Sequence, residues 1–322
     1  MTRPIVVATL IAVLVVAAVV YRLRTPPDRM RDVAPSASKI VMVTAPIASP
    51  FVMFRSLTPD QFHGRVAMMT IAGDDVNRYV TPLSCTRLHY GGGTGICVVE
   101  RAAFLFDRSF TRGQAVELAG IVTRARVSPD GRRVALSVYA EQHQPDGSER
   151  LATESFVIDV ATGASTQLRE FTIDPSGGPA VTAPIDISSV SFAGDSDRFY
   201  AAVSSGSSHI IVEGRLSTRQ LRVVHRGALS EALSPDGSQL IVKKSTSERT
   251  WQLYVLDLQT LVEQRLNQGP DGVDDQVDWL DAAQVIYHDA TEHSTGLWSL
   301  PTDGINTPRL LVGDGYSPSV QR

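Results

Sequence analysis

The 322-residue chain lacks any large excess of one charge: 30 basic against 34 acidic residues give a formal net charge of -4 and a pI near 6.0. With no broad positive surface to gather phosphates, nucleic acid is not an expected partner. Cysteine is nearly absent, and the pair present, Cys85 and Cys97, lacks the C-x-x-C form of a metal site. No Gly-x-Ser-x-Gly pentapeptide occurs to present a serine nucleophile, and no α/β segment remains to carry one. Gly206-Ser207-Ser208-His209 reads as a hairpin turn. Gly91-Gly92-Gly93 precedes neither a Lys-Ser/Thr pair nor a helix, so it is not a phosphate loop. Helical periodicity is missing from the repeat region described below.

What is present begins with 43% hydrophobic residues, enough for a sizeable core in one large domain or two ordinary ones. Ile5 to Val20 is an apolar run broken only by Thr9, with Arg3 before it and Arg22 and Arg24 after it. It fits a signal-peptide core or a short membrane span reaching to Tyr21; the absence of a small-x-small site after it favours an uncleaved anchor. Arg22, Arg24, Arg29 and Arg31, read by the positive-inside rule, would leave the rest of the chain in the cytoplasm. Against that stands the cysteine pair. Residues flanking the Gly91–Gly95 turn can face each other across two strands, which points to a disulfide and an oxidising compartment; two separate core thiols are the alternative. The expected organisation is an anchor or signal at 1–24, a Pro-containing linker at 25–38 and a globular domain at 39–322, held outside the membrane through residues 5–21.

The most informative property is internal repetition. Val127-Ser128-Pro129-Asp130-Gly131, followed by an apolar strand, recurs as Leu233-Ser234-Pro235-Asp236-Gly237. Proline fixes φ early in the turn, and Asp-Gly supplies a side-chain acceptor and a positive-φ residue. Each copy is followed by a further strand and turn, Ser155 to Gly163 and Gln252 to Thr260, with a third at Gly296 to Gly304 and a worn copy from Val190. The residues closing the inner strands are then Val127, Phe192, Leu233, Trp279 and Val320, separated by 65, 41, 46 and 41 residues on subtracting their numbers. Each period holds about four strands, as one propeller blade does. Segments 40–72 and 79–119 are expected to supply further blades. The final Tyr316-Ser317-Pro318-Ser319-Val320 is expected to complete a blade begun by the amino-terminal segment.

The Ser-Pro-Asp-Gly turn followed by a Leu-Tyr-Val-Leu-Asp-Leu strand (Leu253 to Leu258) resembles the repeat of TolB-like six-bladed β-propellers. The resemblance covers residues 125–320. It departs at Ala193-Gly194-Asp195 and Leu280-Asp281-Ala282-Ala283, and at the lack of an amino-terminal α/β domain before the propeller. It implies an all-β fold of about six four-stranded blades and a habit of binding proteins, without naming a partner.

Searching for chemistry yields a binding rim and no enzyme. Residues four before each closing position, Thr123, Ser188, Leu229 and Asp275, should share one mouth of the ring, with Arg124, Arg126 and Glu231 beside them. The acidic group Asp271, Asp274, Asp275, Asp278 and Asp281 lacks a calcium loop and reads as a solvated connection, as does Asp74-Asp75. The seven histidines are dispersed; His288 and His293 approach each other across a hairpin but find no third ligand. The expectation is therefore a cell-envelope scaffold that binds another protein or peptide segment and needs no cofactor. The alternatives are a propeller hydrolase or lactonase holding a metal through Asp275, and a glycan-sensing module.

Overall fold

Both Ser-Pro-Asp-Gly stretches close in the same way. The Ser128 hydroxyl donates to Asp130 at 2.6 Å and accepts the Arg133 N–H at 2.9 Å, while Asp130 accepts the Arg132 N–H at 3.0 Å. Ser234 and Asp236 repeat the pattern toward Gln239 and Ser238, and the two glycines sit at φ 74° and 75°. The worn copy Ala193-Gly194-Asp195-Ser196 keeps only the aspartate of the device: Asp195 caps the Arg198 N–H at 2.8 Å, Ser196, at φ 55°, stands in for glycine, and Ala193 has no hydroxyl to contribute. Three residues thus make each hairpin nearly independent of the rest of the fold.

The computed structural model describes residues 39–71, 77–143, 147, 149–174, 185–247, 250–268, 273, 276–291 and 294–322. Residues 5–21, the linker at 25–38 and Asp74, Asp75, Asp271, Asp274, Asp275 and His293 lie outside them. Among the described residues no helix is long and apolar enough to cross a membrane.

The strands form six sheets of four, antiparallel throughout except for two short extra strands at outer edges. Blade 1 runs outward from Gly315–Gln321 through Phe51–Ser56, Arg65–Thr70 and Arg78–Ser84, with Ile40–Met42 added in parallel. The inner strands of blades 2 to 6 are Arg87–Gly91, Ile121–Val127, Asp186–Phe192, Leu229–Leu233 and Asp278–Trp279. All five closing residues read from the repeat fall at the ends of inner strands, and the carboxy-terminal strand completes blade 1. The sixth closing residue is Tyr90, hidden from the repeat because its turn is Gly91-Gly92-Gly93 rather than Ser-Pro-Asp-Gly. The first two blades divide after Ser84 and not at residue 79, since Arg78–Ser84 pairs with Arg65–Thr70 as the outer strand of blade 1.

Six apolar clusters hold the ring, and each is built from two neighbouring blades. Phe51, Met53 and Met68 of blade 1 meet Leu88, Tyr90 and Phe104 of blade 2, for example. Trp279 of blade 6 packs with Ile241 and Leu253 of blade 5. Every sheet hides both faces on its neighbours, at about 1.5–3 kcal/mol per large side chain fully buried.

The disulfide forms, with Cα atoms of Cys85 and Cys97 5.3 Å apart, but not across the glycine hairpin. The cross-strand partner of Cys97 is Leu88, and Cys85 lies in the connection from blade 1. The bond therefore stitches two blades together, worth about 3 kcal/mol for a loop of this length. The glycines serve packing: a Cβ on Gly92 would stand 2.2 Å from the Gly131 backbone N, so the hairpins of blades 2 and 3 interlock only without side chains there.

Candidate functional site: the central channel

An inner strand has a blade on one side and the channel on the other, so its N–H groups need partners from elsewhere. Side chains of the preceding blade supply them. Ser319 accepts the Tyr90 N–H at 2.9 Å, His89 Nδ1 the Val127 N–H at 3.1 Å, Ser191 the Leu233 N–H at 3.0 Å and Asp278 the Val320 N–H at 2.9 Å. Trp279 Nε1 donates to the Ala232 carbonyl at 3.0 Å. The four side-chain acceptors, in blades 1, 2, 4 and 6, each lie one residue before the closing position of their blade and form a polar ring around the axis.

Three of the rim residues expected from sequence come together inside that ring. The Glu231 carboxylate is buried, 2.7 Å from Lys243 Nζ and 3.6 Å from Arg124 Nε. Arg126 reaches across the channel to the backbone carbonyls of Glu231 in blade 5 and Val277 in blade 6. Burial pushes the Glu231 carboxyl up, but Lys243, Arg124 and Arg126 outweigh it and hold the group below the ordinary carboxylate range.

Lys243 is absent from the expected rim, as is the reason Glu231 turns inward. Ser230 pairs with Val242 and Ala232 with Ile241, which leaves Glu231 as the extra residue of a bulge. Simple alternation from Leu233 does not foresee that. Thr123, also skipped in its register, donates to the Ser137 carbonyl at 3.1 Å. Ser188 and Leu229 are half-buried and pair with Ala202 and Lys243. Asp275 lies outside the described residues.

Where the inner strands end, a cavity of about 150 Å³ opens, lined by His89, Arg126, Ser191, Asp278 and Arg322 among others. Arg322 donates to the Trp279 carbonyl and approaches Asp278 at 3.7 Å. Because His89 Nδ1 accepts a backbone N–H, the neutral ring carries its proton on Nε2, 3.8 Å from Asp278 Oδ2. Burial and the neighbouring Arg126 depress its pKa to about 3 from an ordinary 6.5, against the pull of Asp278. A ring with its lone pair so engaged is a donor and not a general base.

The sign of this shift fixes a pH dependence. The native state binds fewer protons than the unfolded chain, so the neutral ring's contribution is complete above pH about 6.5 and declines toward pH about 3, by about 1.4 kcal/mol per unit. In an NMR titration the His89 ring is expected to stay neutral down to pH about 4. A protonation midpoint near 6.5 would contradict the Nδ1 contact.

Among the described residues no group of three His, Cys, Asp or Glu side chains could hold a metal ion. His288 Nε2 instead meets Thr295 Oγ1 at 2.8 Å, and its ring lies edge-on to Tyr316.

Fold and channel together define a six-bladed propeller with a charged, cross-braced axis. Its likeness among solved structures is to TolB: the crystal structure of TolB from Acinetobacter baumannii superposes with a TM-score of 0.59 at 17% identity, covering 84% of this chain and 66% of that one. This chain thus spans just under two thirds of that structure's length. A putative TolB from Agrobacterium tumefaciens gives 0.54 at 13% identity, over 83% and 90% of the two chains. At such identities the likeness establishes the fold alone. No family profile matches the sequence, and no curated protein matches it as a relative.

Proposed function

We propose that this chain is a protein-binding scaffold of the cell envelope, anchored or exported through residues 5–21, whose propeller engages a partner at a mouth of its central channel and performs no catalysis. The observation that carries the reading is the channel itself. Charged side chains of blades 3 and 5 are paired across the axis and Arg126 of blade 3 is also tied to the Val277 backbone carbonyl of blade 6, a rigid recognition feature, and the channel's histidine has its lone pair engaged. Two further observations support the setting. The disulfide suits an oxidising compartment, and the fold is that of TolB structures.

The mouth at the beginnings of the inner strands, marked by Thr123, Arg124, Ser188 and Glu231, is the proposed contact surface. A photo-crosslinking residue placed at Thr123 in the full chain in living cells is expected to give a discrete protein adduct. The same residue at Arg219, on the exposed outer edge of blade 4, is expected to give none. Equal yields from both positions, or none from Thr123, would count against the proposal.

A further inference from the structure

A second cavity, of about 410 Å³, lies beside the channel mouth and is lined by Ala45, Pro46, Ile47, Ser49, Phe51, Tyr90, Gly92, Gly93, Arg108 and Gln321. Its size falls in the range of small-molecule sites, roughly 300–1,000 Å³. The segment from Ala45 to Ser49 crosses from the outer edge of blade 1 to its second strand and forms one wall. Phe51 and Tyr90 form an aromatic floor, and the Tyr90 ring stacks on Phe106 with centroids 5.9 Å apart. The floor belongs to the buried core between blades 1 and 2, so the cavity is a built part of the seam.

One cation faces this space, whose lining is of mixed polar and apolar character. Arg108 follows Asp107, whose carboxylate is engaged within its own turn by the N–H groups of Ser109 at 2.8 Å and Thr111 at 3.0 Å. The Arg108 guanidinium lies across the glycine hairpin instead. A Cβ on Gly93, at φ 88°, would stand 2.4 Å from Arg108 Nε, so the missing side chain is what admits it. Tyr90 and Arg108 line the same cavity; burial pushes the Tyr90 hydroxyl's pKa up, Arg108 pulls it down and the Asp107 carboxylate pushes it up. At neutral pH both are donors.

From this we infer that the seam between blades 1 and 2 is a binding site for a small amphiphilic carboxylate, its apolar body between Pro46, Ile47 and Phe51 and its carboxylate on Arg108 and the Tyr90 hydroxyl. A neutral isostere of the same shape keeps the apolar contacts and loses the charge-assisted hydrogen bonds. The site is independent of any macromolecular partner at the channel.

Phenylacetate and phenylacetamide, titrated separately into the full chain at constant ionic strength and followed by ligand-observed NMR, test it. Phenylacetate is expected to bind at least about tenfold more tightly than the amide, a difference of about 1.4 kcal/mol. Arg108→Gln, at an exposed side chain, should bring the acid down to the amide's level with the unfolding midpoint unchanged. Ile47→Trp should fill the cavity and abolish binding of both. Equal affinities in the parent chain, no binding of either, or undiminished binding by Ile47→Trp would each overturn the inference.

Discussion

A chain ending at Asp314 is expected to lose the cooperative native state altogether. The removed strand Gly315–Gln321 is the inner strand of blade 1, and Phe51 to Ser56 would forfeit their antiparallel partner. Ser317 and Ser319, both fully buried, would no longer accept the Leu88 and Tyr90 N–H groups at 3.1 and 2.9 Å. Gln276, buried between blades 6, 1 and 2, would lose the Pro318 carbonyl. Each buried donor or acceptor so orphaned costs about 1–3 kcal/mol. Several together match the whole stability of a typical protein, about 5–15 kcal/mol. Urea denaturation followed by circular dichroism is therefore expected to show no sigmoidal transition. A truncated chain that unfolds with the midpoint of the intact one would refute the closure. Removing Arg322 alone takes away no ladder pairing and is expected to leave the transition in place.

Glu231→Gln is expected to cost about 3–5 kcal/mol, read as a lowered urea midpoint, although it changes hardly any volume. The carboxylate is the counter-ion of Lys243 at 2.7 Å and Arg124 at 3.6 Å, with Arg126 nearby, and the variant leaves these cations facing one another out of water. Adding Lys243→Met should recover part of the loss by removing one of them. A single-variant change below about 1 kcal/mol would place the pair in the class of weak, solvated bridges. The pH dependence follows from the depressed carboxyl pKa. The native state binds fewer protons than the unfolded chain, so the stabilisation is complete above the ordinary Glu value and is lost as the pH falls through the native one. Acid should narrow the difference between the parent chain and Glu231→Gln.

The fold was legible where a local device sets it. Ser128-Pro129-Asp130-Gly131 and Ser234-Pro235-Asp236-Gly237 fix their hairpins with contacts spanning five residues or fewer, so the turn, the flanking strands and the blade period can be read from residues alone. The same spacing located Val127, Phe192, Leu233, Trp279 and Val320 in the ring and the closing role of the last strand. Tyr90 escaped because its hairpin is specified by a contact with blade 3, through Gly92 and Gly131, and no local pattern records that. Arg124, Arg126 and Glu231 were placed together on topology, but Lys243 and the inward turn of Glu231 depend on a bulge set by pairing with the next strand. The cysteine bond was foreseen and its path was not, because Cys85 belongs to the connection between blades. The Arg108 cavity has no signal in the sequence. It arises where a crossing segment, an aromatic floor and a side chain over a glycine converge from three parts of the chain.

The pairing of Phe51 with Gln321 also bears on how the protein comes into being. The strand that locks the ring is the last of its strands to be synthesised, and the blade it joins is the first. Until it emerges, the nascent chain carries an open sheet edge and an uncovered apolar seam, the features that attract chaperones and other chains. Locking then waits on one encounter between regions distant in sequence, which slows folding.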